Sequence, residues 1–550
     1  MSPASPVSSP LDRLIRGGSV PQKGMVIKMK TKTTAIILAI ALIIGFVAVP
    51  VLADVITGSG WEFDPGTGTL TVTTNSGTTA WREGRDPYNQ TIDDFTWHTV
   101  QNVVIGGNVT EIGWMAFSSC IRLTEVIIPD SVTDIDFGVF WLCSALESVT
   151  IGNRVESIGG GAFSQTALRE VTIPDSVESI GDIAFGGCKS LETVTIGNGV
   201  ESIGEGAFVD SGLTSITIPD NVTSIGESSF SSCTELVSVT IGNGITSIAY
   251  RAFYGCTDLE TVTIGNRVES IELTAFSGCT SLLSITIPDS VTSIGVSAFS
   301  GCTSLESVTI GSGVEIIEDS AFGGCGLISI TIPDNVTCIE ANAFAECTNL
   351  TTVTIGNGVE SIGRQAFAYC PKLETVTIGN SVTSIGEQAF SSTALREITI
   401  PGSVEDIGYG AFLFSALESV TFEGTTPPTM GQQVFYDAPI ETIFVPHGSE
   451  SAYTDALLYA YVDLDVIDIV EAPPPIEVSI VNGKVEIRNN TDEFFSTKGY
   501  YLTDDTSDWG LPVVLVRAGE TVTIGEGKRV RIDLTDVDEV WLVLESKKPS

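Results

Sequence analysis

The residues able to do chemistry are few in this chain, and they are poorly spaced for it. The only two histidines, His98 and His447, stand far apart in the sequence, and neither has a Ser or Cys with a supporting carboxylate at a spacing used for nucleophilic catalysis. Ten of the eleven cysteines sit three residues after a recurrent Phe: Cys120, Cys143, Cys188, Cys233, Cys256, Cys279, Cys302, Cys325, Cys347 and Cys370. Two readings stand for them. One is a small buried residue whose thiol bonds weakly to backbone; the other is stacked neighbours close enough for disulfides, which need Cα atoms about 4.4–6.8 Å apart. The odd count and the copies lacking Cys argue against a disulfide framework, and no Cys-x-x-Cys pair suits zinc. Glycines such as Gly197 and Gly199 recur as turns, without the Gly-Lys-Ser/Thr of a phosphate loop. Asp504, Asp505 and Asp508 miss the calcium-loop spacing, because Thr506 stands where that loop needs Asp or Asn. No catalytic residue, metal ligand or cofactor is therefore assigned, and the chain reads as a non-enzyme.

The spacing that matters belongs to a repeat. A phrase ending in most copies in Ala-Phe returns fifteen times at a period of 22 or 23 residues, through Phe117, Phe140, Phe163, Phe185, Phe208, Phe230, Phe253, Phe276, Phe299, Phe322, Phe344, Phe367, Phe390, Phe412 and Phe435. A unit this short cannot bury its apolar face alone, so coils must stack into a continuous core. Within the coil from Leu146, Val149 and Ile151 alternate around Thr150, which predicts a short strand with Val and Ile inward and Thr outward. Gly152-Asn153, or Pro174-Asp175 one coil later, supplies the turn; Val155 and Ile158 return along the other side before Ala162 and Phe163 fill the interior.

Stacking then lines up two outward hydroxyl columns. Their threonines are Thr193, Thr195, Thr217, Thr240, Thr261, Thr263, Thr286, Thr309, Thr331, Thr352, Thr354, Thr375 and Thr377, with Ser215, Ser238, Ser284 and Ser307 between them. Threonine suits a solvated strand and ladders well with its neighbours, which is a sufficient structural reason for the columns. The functional alternative makes this face a binding platform for an extracellular protein or glycan.

The pattern Leu-x-x-Val-Thr-Ile-Pro-Asp-Ser-Val-Thr-Ser-Ile-Gly-x-x-Ala-Phe-x-x-Cys, as in the coil ending at Cys302, resembles the BspA-type leucine-rich repeat of bacterial and protozoal surface proteins. The resemblance implies a mostly β, curved leucine-rich-repeat solenoid of about fifteen coils with parallel strands, displayed at the cell surface or secreted. It also implies adhesion to host proteins or cells, as in some members, so host matrix stands among the expected partners.

The ends of the chain set location and limits. Lys28, Lys30 and Lys32 precede an apolar run from Ala35 to Val49, and Val51 and Ala53 satisfy the small-residue rule for signal cleavage between Ala53 and Asp54. Met25 or Met29 reads as the start of that leader. An uncleaved N-terminal membrane anchor is the alternative, and either places the remainder outside the cytoplasm. Against 26 Lys and Arg stand 68 Asp and Glu, a formal charge of −42 that repels nucleic acid and anionic membrane. No nucleic acid and no membrane insertion after cleavage are expected.

The chain thus divides into an upstream segment and signal peptide (1–53), an N-terminal cap (54–100), repeats (101–440), a C-terminal cap (441–470), a Pro-rich linker (471–476) and a small β-sandwich (477–546). The caps are read from Trp61, Phe63, Leu70 and Val72 at one end, and at the other from Pro427 and Pro428, which break the last coil, followed by a short helix near Ala452 and Tyr453. In the last segment Val485-Glu-Ile-Arg-Asn-Asn-Thr, Gly499-Tyr-Tyr-Leu-Thr-Asp-Asp505, Trp509 and Arg517-Ala-Gly519 resemble a lamin-tail domain, which implies an ancillary binding or spacing module.

Overall fold

The computed structural model describes residues 55–83, 97–459 and 468–471, and the strands 476–481, 484–489, 501–503, 521–524, 529–532 and 540–542. The signal peptide, the linker residues 472–475, the aspartates at 504, 505 and 508 and the lamin-tail residues Trp509 and 517–519 lie outside the described residues.

Each coil contributes two strands. The first follows the Val-Thr-Ile phrase, as in Ser215–Ile218, whose residues alternate exposed and buried; the second is a two-residue strand such as Ser224–Ile225. Each pairs in parallel with its counterpart in an adjoining coil, Ser215 with Ser238 through Ile218 with Ile241, and Ser224 with Ser202 of the coil before. The sequence period is therefore the hydrogen-bond register. In one coil Leu236, Val239, Ile241, Ile245, Ile248, Ala252, Phe253 and Cys256 are all buried. Even the corner carrying the Phe keeps the ladder going, since Phe253 N–H donates to Ala275 O at 2.8 Å and Gly255 N–H to Ser277 O at 2.9 Å.

The fifteen Phe rings form one column with 5.2–5.6 Å between successive centroids, and within its central stretch the planes differ by only a few degrees. Hydrogen-bonded strands lie about 4.8 Å apart. The ring step, 5.3 Å for Phe276–Phe299, is close to that spacing, so the rings stack coil on coil beside the ladder. With the turn opened by Thr442–Val445 beyond the last Phe, the solenoid has about sixteen turns.

At the N-terminal end, Trp61–Asp64 and Thr69–Val72 form an antiparallel hairpin, and the latter pairs in parallel with Asn102–Ile105. Trp61, Phe63, Leu70 and Val72 are buried, as their alternation predicts. A helix over Asn75–Glu83 is new, and it acts through polar groups that hydropathy does not register. Thr74 Oγ1 accepts the Gly77 N–H at 3.1 Å and opens the helix. Asn75 Oδ1 and Thr78 Oγ1 accept the N–H groups of Thr110 (2.8 Å) and Gly113 (3.1 Å). In the next coil the corresponding N–H groups, Thr133 and Asp136, donate to Thr110 O and Ile112 O. Side chains of the helix thus replace the missing preceding coil.

The C-terminal end corrects one expectation. Pro427 and Pro428 do not break the last coil: Thr429–Met430 pairs with Asp406–Ile407, and Phe435 stacks on Phe412 at 5.6 Å. Pro428 forfeits one rung for want of an N–H, and Thr429 N–H takes the Glu405 carbonyl at 2.8 Å. The expected helix is present as Glu450–Tyr459; its Tyr453 is buried 4.9 Å from the Phe422 ring and donates to Gly424 O at 2.7 Å. Asp468–Glu471 then adds a parallel strand to Thr442–Val445. Further on, two three-stranded antiparallel sheets are centred on Lys484–Asn489 and Arg529–Ile532.

Candidate binding face

The strand threonines point to solvent. Thr193 and Thr195 flank buried Val194; Thr217, Thr240, Thr331, Thr352 and Thr354 are likewise exposed around buried Val or Ile. Registers align Thr217, Thr240 and Thr263 in one file, Thr331, Thr354 and Thr377 in a second stretch, and Thr286 with Thr309 in a third. Thr261, Thr352 and Thr375 stand in the parallel file, continued by Ser215 and Ser238. The structure thus brings these threonines onto one face, the geometry a platform needs.

That face is segmented, which was not foreseen. Its ladder breaks between Thr150 and Glu170, between Thr263 and Ser284, between Thr309 and Ser329 and between Thr377 and Glu397. Each break precedes a coil that turns with proline, Pro174, Pro288, Pro333 and Pro401, while the Pro219 coil keeps the pairing of Thr193 with Ser215. A Gly coil closes this rung, as Gly242 N–H does onto Ile218 O at 2.9 Å, whereas proline has no N–H to offer. The alternation is coupled in the turns. A Cβ at Gly197 would collide with the Pro174 carbonyl, and Asp175 Oδ1 accepts the Asn198 N–H at 2.7 Å, so Pro-Asp below calls for Gly-Asn above. The signal was readable as the Pro-Asp/Gly-Asn alternation itself.

Apolar side chains on this face were also missed. Val104 and Ile127, the latter 67% exposed, occupy the Thr column at its N-terminal end. Val237, Leu283 and Ile328 stand exposed immediately before the first strand residues, in a file shared with Glu260 and Glu306. A hydroxyl surface edged by carboxylates and isolated aliphatics can hydrogen-bond a ligand and exclude water from it.

The cysteines take the first of the two readings. None is bridged; ten are buried, and from Cys143 on their thiols donate to the carbonyl of the repeat Phe one coil earlier, Cys233 to Phe208 O at 3.1 Å and Cys302 to Phe276 O at 3.3 Å. Four of the five coils lacking Cys substitute a hydroxyl, as Thr166 to Phe163 O and Thr393 to Phe390 O, both at 2.9 Å, and the last has Ala438. Burial pushes the Cys233 thiol up to about 11 and the Cys370 thiol up to about 12, the opposite of activation. Cys338, half-buried, donates to Glu340 Oε1 at 3.2 Å. His98 and His447 lie in opposite caps, and no cluster of three metal-ligating side chains occurs among the described residues. Among these residues no helix is long and apolar enough to cross a membrane.

Parallel coils built on Leu-x-x-Val-Thr-Ile, with a Phe spine and an outward hydroxyl face, define a leucine-rich-repeat scaffold. The model of the BspA type Leucine rich repeat region matches in six copies, over residue ranges running from 90–214 to 338–462, and the chain belongs to that family. The matched family is a repeat region and not a catalytic one. Among solved structures, the chain is similar to a leucine-rich repeat protein from Bacteroides ovatus (22% identity, TM-score 0.46, 77% of this chain and 100% of that one). It is also similar to a leucine rich cell surface protein from Faecalibacterium prausnitzii (28%, 0.32, 59% and 95%) and to the pneumococcal vaccine antigen PcpA (19%, 0.37, 77% and 99%). No curated protein matches.

Proposed function

We propose that the chain is an exported, non-enzymatic recognition scaffold that binds an extracellular protein or glycan, host matrix among the candidates, through the Thr face. The observation that carries this reading is the pair of solvent-facing hydroxyl files, which run coil after coil outside the apolar core. Export rests on the leader read from residues 28–53, with cleavage after Ala53. The antiparallel strands after Ile476 are compatible with a lamin-tail-like module serving as an accessory domain. Near-identity of the coils favours a second reading, a structural spacer of the envelope or matrix without a specific ligand.

Solid-phase binding of the secreted chain to extracellular-matrix proteins and to a glycan array separates the two. The scaffold reading expects saturable binding that falls at least tenfold when Thr240, Thr286 and Thr331 are all replaced by Lys, with the circular dichroism unchanged. Absence of any saturable ligand favours the spacer.

A further inference from the structure

A second surface stands out at the corner following each repeat Phe. Two residues after the Phe, the backbone takes a positive φ in coil after coil, and four successive coils place Gly there: Gly255, Gly278, Gly301 and Gly324, with φ from 68° to 76°. That is the conformation in which a Cβ is least welcome. Near the C-terminal end the same position holds Tyr369 (φ 58°) and Phe414 (φ 56°), which are 51% and 52% exposed. The core gains little from either ring. Tyr436, 55% exposed, meets Phe414 edge-on at 6.0 Å, so two aromatic side chains lean on each other in solvent. Large aromatic side chains left half exposed at a strained backbone position are the mark of a surface kept for contact.

We infer that Tyr369, Phe414 and Tyr436 form a stacking shelf for a neutral, extended polysaccharide, a site separate from the Thr face. Along the corner file Ser392 stands between Tyr369 and Phe414, and exposed Asp437 follows Phe414. The file thus alternates flat apolar faces with small hydroxyl and carboxylate groups. A pyranose has matching chemistry: an apolar face of C–H groups that packs on a ring, and an equator of hydroxyls that bonds to Ser and Asp. The coil step here, 5.3 Å and then 5.6 Å in the adjoining Phe column, is close to the length of one sugar unit in an extended glucan, so rings two coils apart address alternate units. Charge selects among glycans. No Lys or Arg lies in the file, and a chain with 68 acidic against 26 basic residues repels polyanionic sugars.

The test is affinity electrophoresis of the full chain in native gels containing hydroxyethylcellulose, dextran or polygalacturonate. Retardation by hydroxyethylcellulose and none by polygalacturonate is expected. Phe414→Gly, which restores the residue other coils use at that corner and so keeps the fold, and Tyr436→Ser should each weaken retardation at least tenfold. Failure of both neutral polymers to retard the chain, or retardation that survives the double variant, overturns the inference. Retardation lost instead by the Thr240, Thr286 and Thr331 lysine variant assigns the glycan to the Thr face and also overturns it.

Discussion

Removing one ring from the middle of the Phe column should divide the array. Phe276 is buried between Phe253 and Phe299, with ring centroids 5.2 Å and 5.3 Å away. Phe→Ala in a core costs about 3–5 kcal/mol, and two ring partners, each contributing roughly 0.5–1.5 kcal/mol beyond burial, place Phe276→Ala at the upper end. Phe117→Ala is the comparison, because Phe117 has a single neighbour in the column, Phe140, at 5.4 Å and tilted by 28°. That variant should fall about 1 kcal/mol lower. Coils stabilise only their neighbours, so the central lesion should also uncouple the two halves, while the terminal lesion frays one end. Urea unfolding followed by circular dichroism measures the loss, and limited proteolysis locates it. The double variant Phe276→Ala/Phe299→Ala should cost less than the sum of its parts, and Phe276→Ala/Phe390→Ala should be additive. A loss below about 1.5 kcal/mol for Phe276→Ala, or cleavage sites unrelated to its coil, refutes the continuous-spine argument.

Native protein should leave the ten buried cysteines unmodified by iodoacetamide at pH 8, with Cys338 the first to react, and release all eleven in urea; early labelling of Cys233 would contradict their packing. Because Cys233 stays protonated to about 11 and Cys370 to about 12 when folded, while unfolded thiols ionise near 8.5, the unfolded state binds fewer protons in that interval. Their stabilising contribution is therefore complete below about pH 8 and lost as pH rises toward 11, by up to about 1.4 kcal/mol per pH unit per thiol. Melting temperatures that stay level from pH 8 to 10.5 would refute it. Tyr453→Phe removes the 2.7 Å hydrogen bond to Gly424 O and should cost about 1 kcal/mol, read as faster amide exchange in Ser419–Phe422 and Thr442–Val445; unchanged exchange there would remove Tyr453 from the cap.

Much of the fold was legible because one physical requirement repeats. Phe253 predicts Phe276, and Val239 predicts Val262, since each coil meets the same neighbour as the last. The Thr files follow from the same strand alternation, so their exposure could be read without coordinates. The N-terminal helix over Asn75–Glu83 could not, for its work is done by Asn75 and Thr78 on donors of the first coil, some thirty-five residues away. Pro427 and Pro428 misled in the opposite direction: proline ends a strand when its N–H is needed, and here Thr429 takes up the carbonyl left over.

By itself the chain's order of residues determined the period, the inward and outward positions and the need for stacking, because burial of a 22- or 23-residue unit is a local bargain repeated fifteen times. Only the tertiary structure decided how the ends are closed, that the Thr ladder breaks ahead of four of the proline coils, that the thiols face Phe carbonyls instead of one another, and that Tyr369, Phe414 and Tyr436 stand out in solvent. Those depend on which groups of successive coils come into hydrogen-bond or van der Waals reach, a distance that spacing along the chain does not contain.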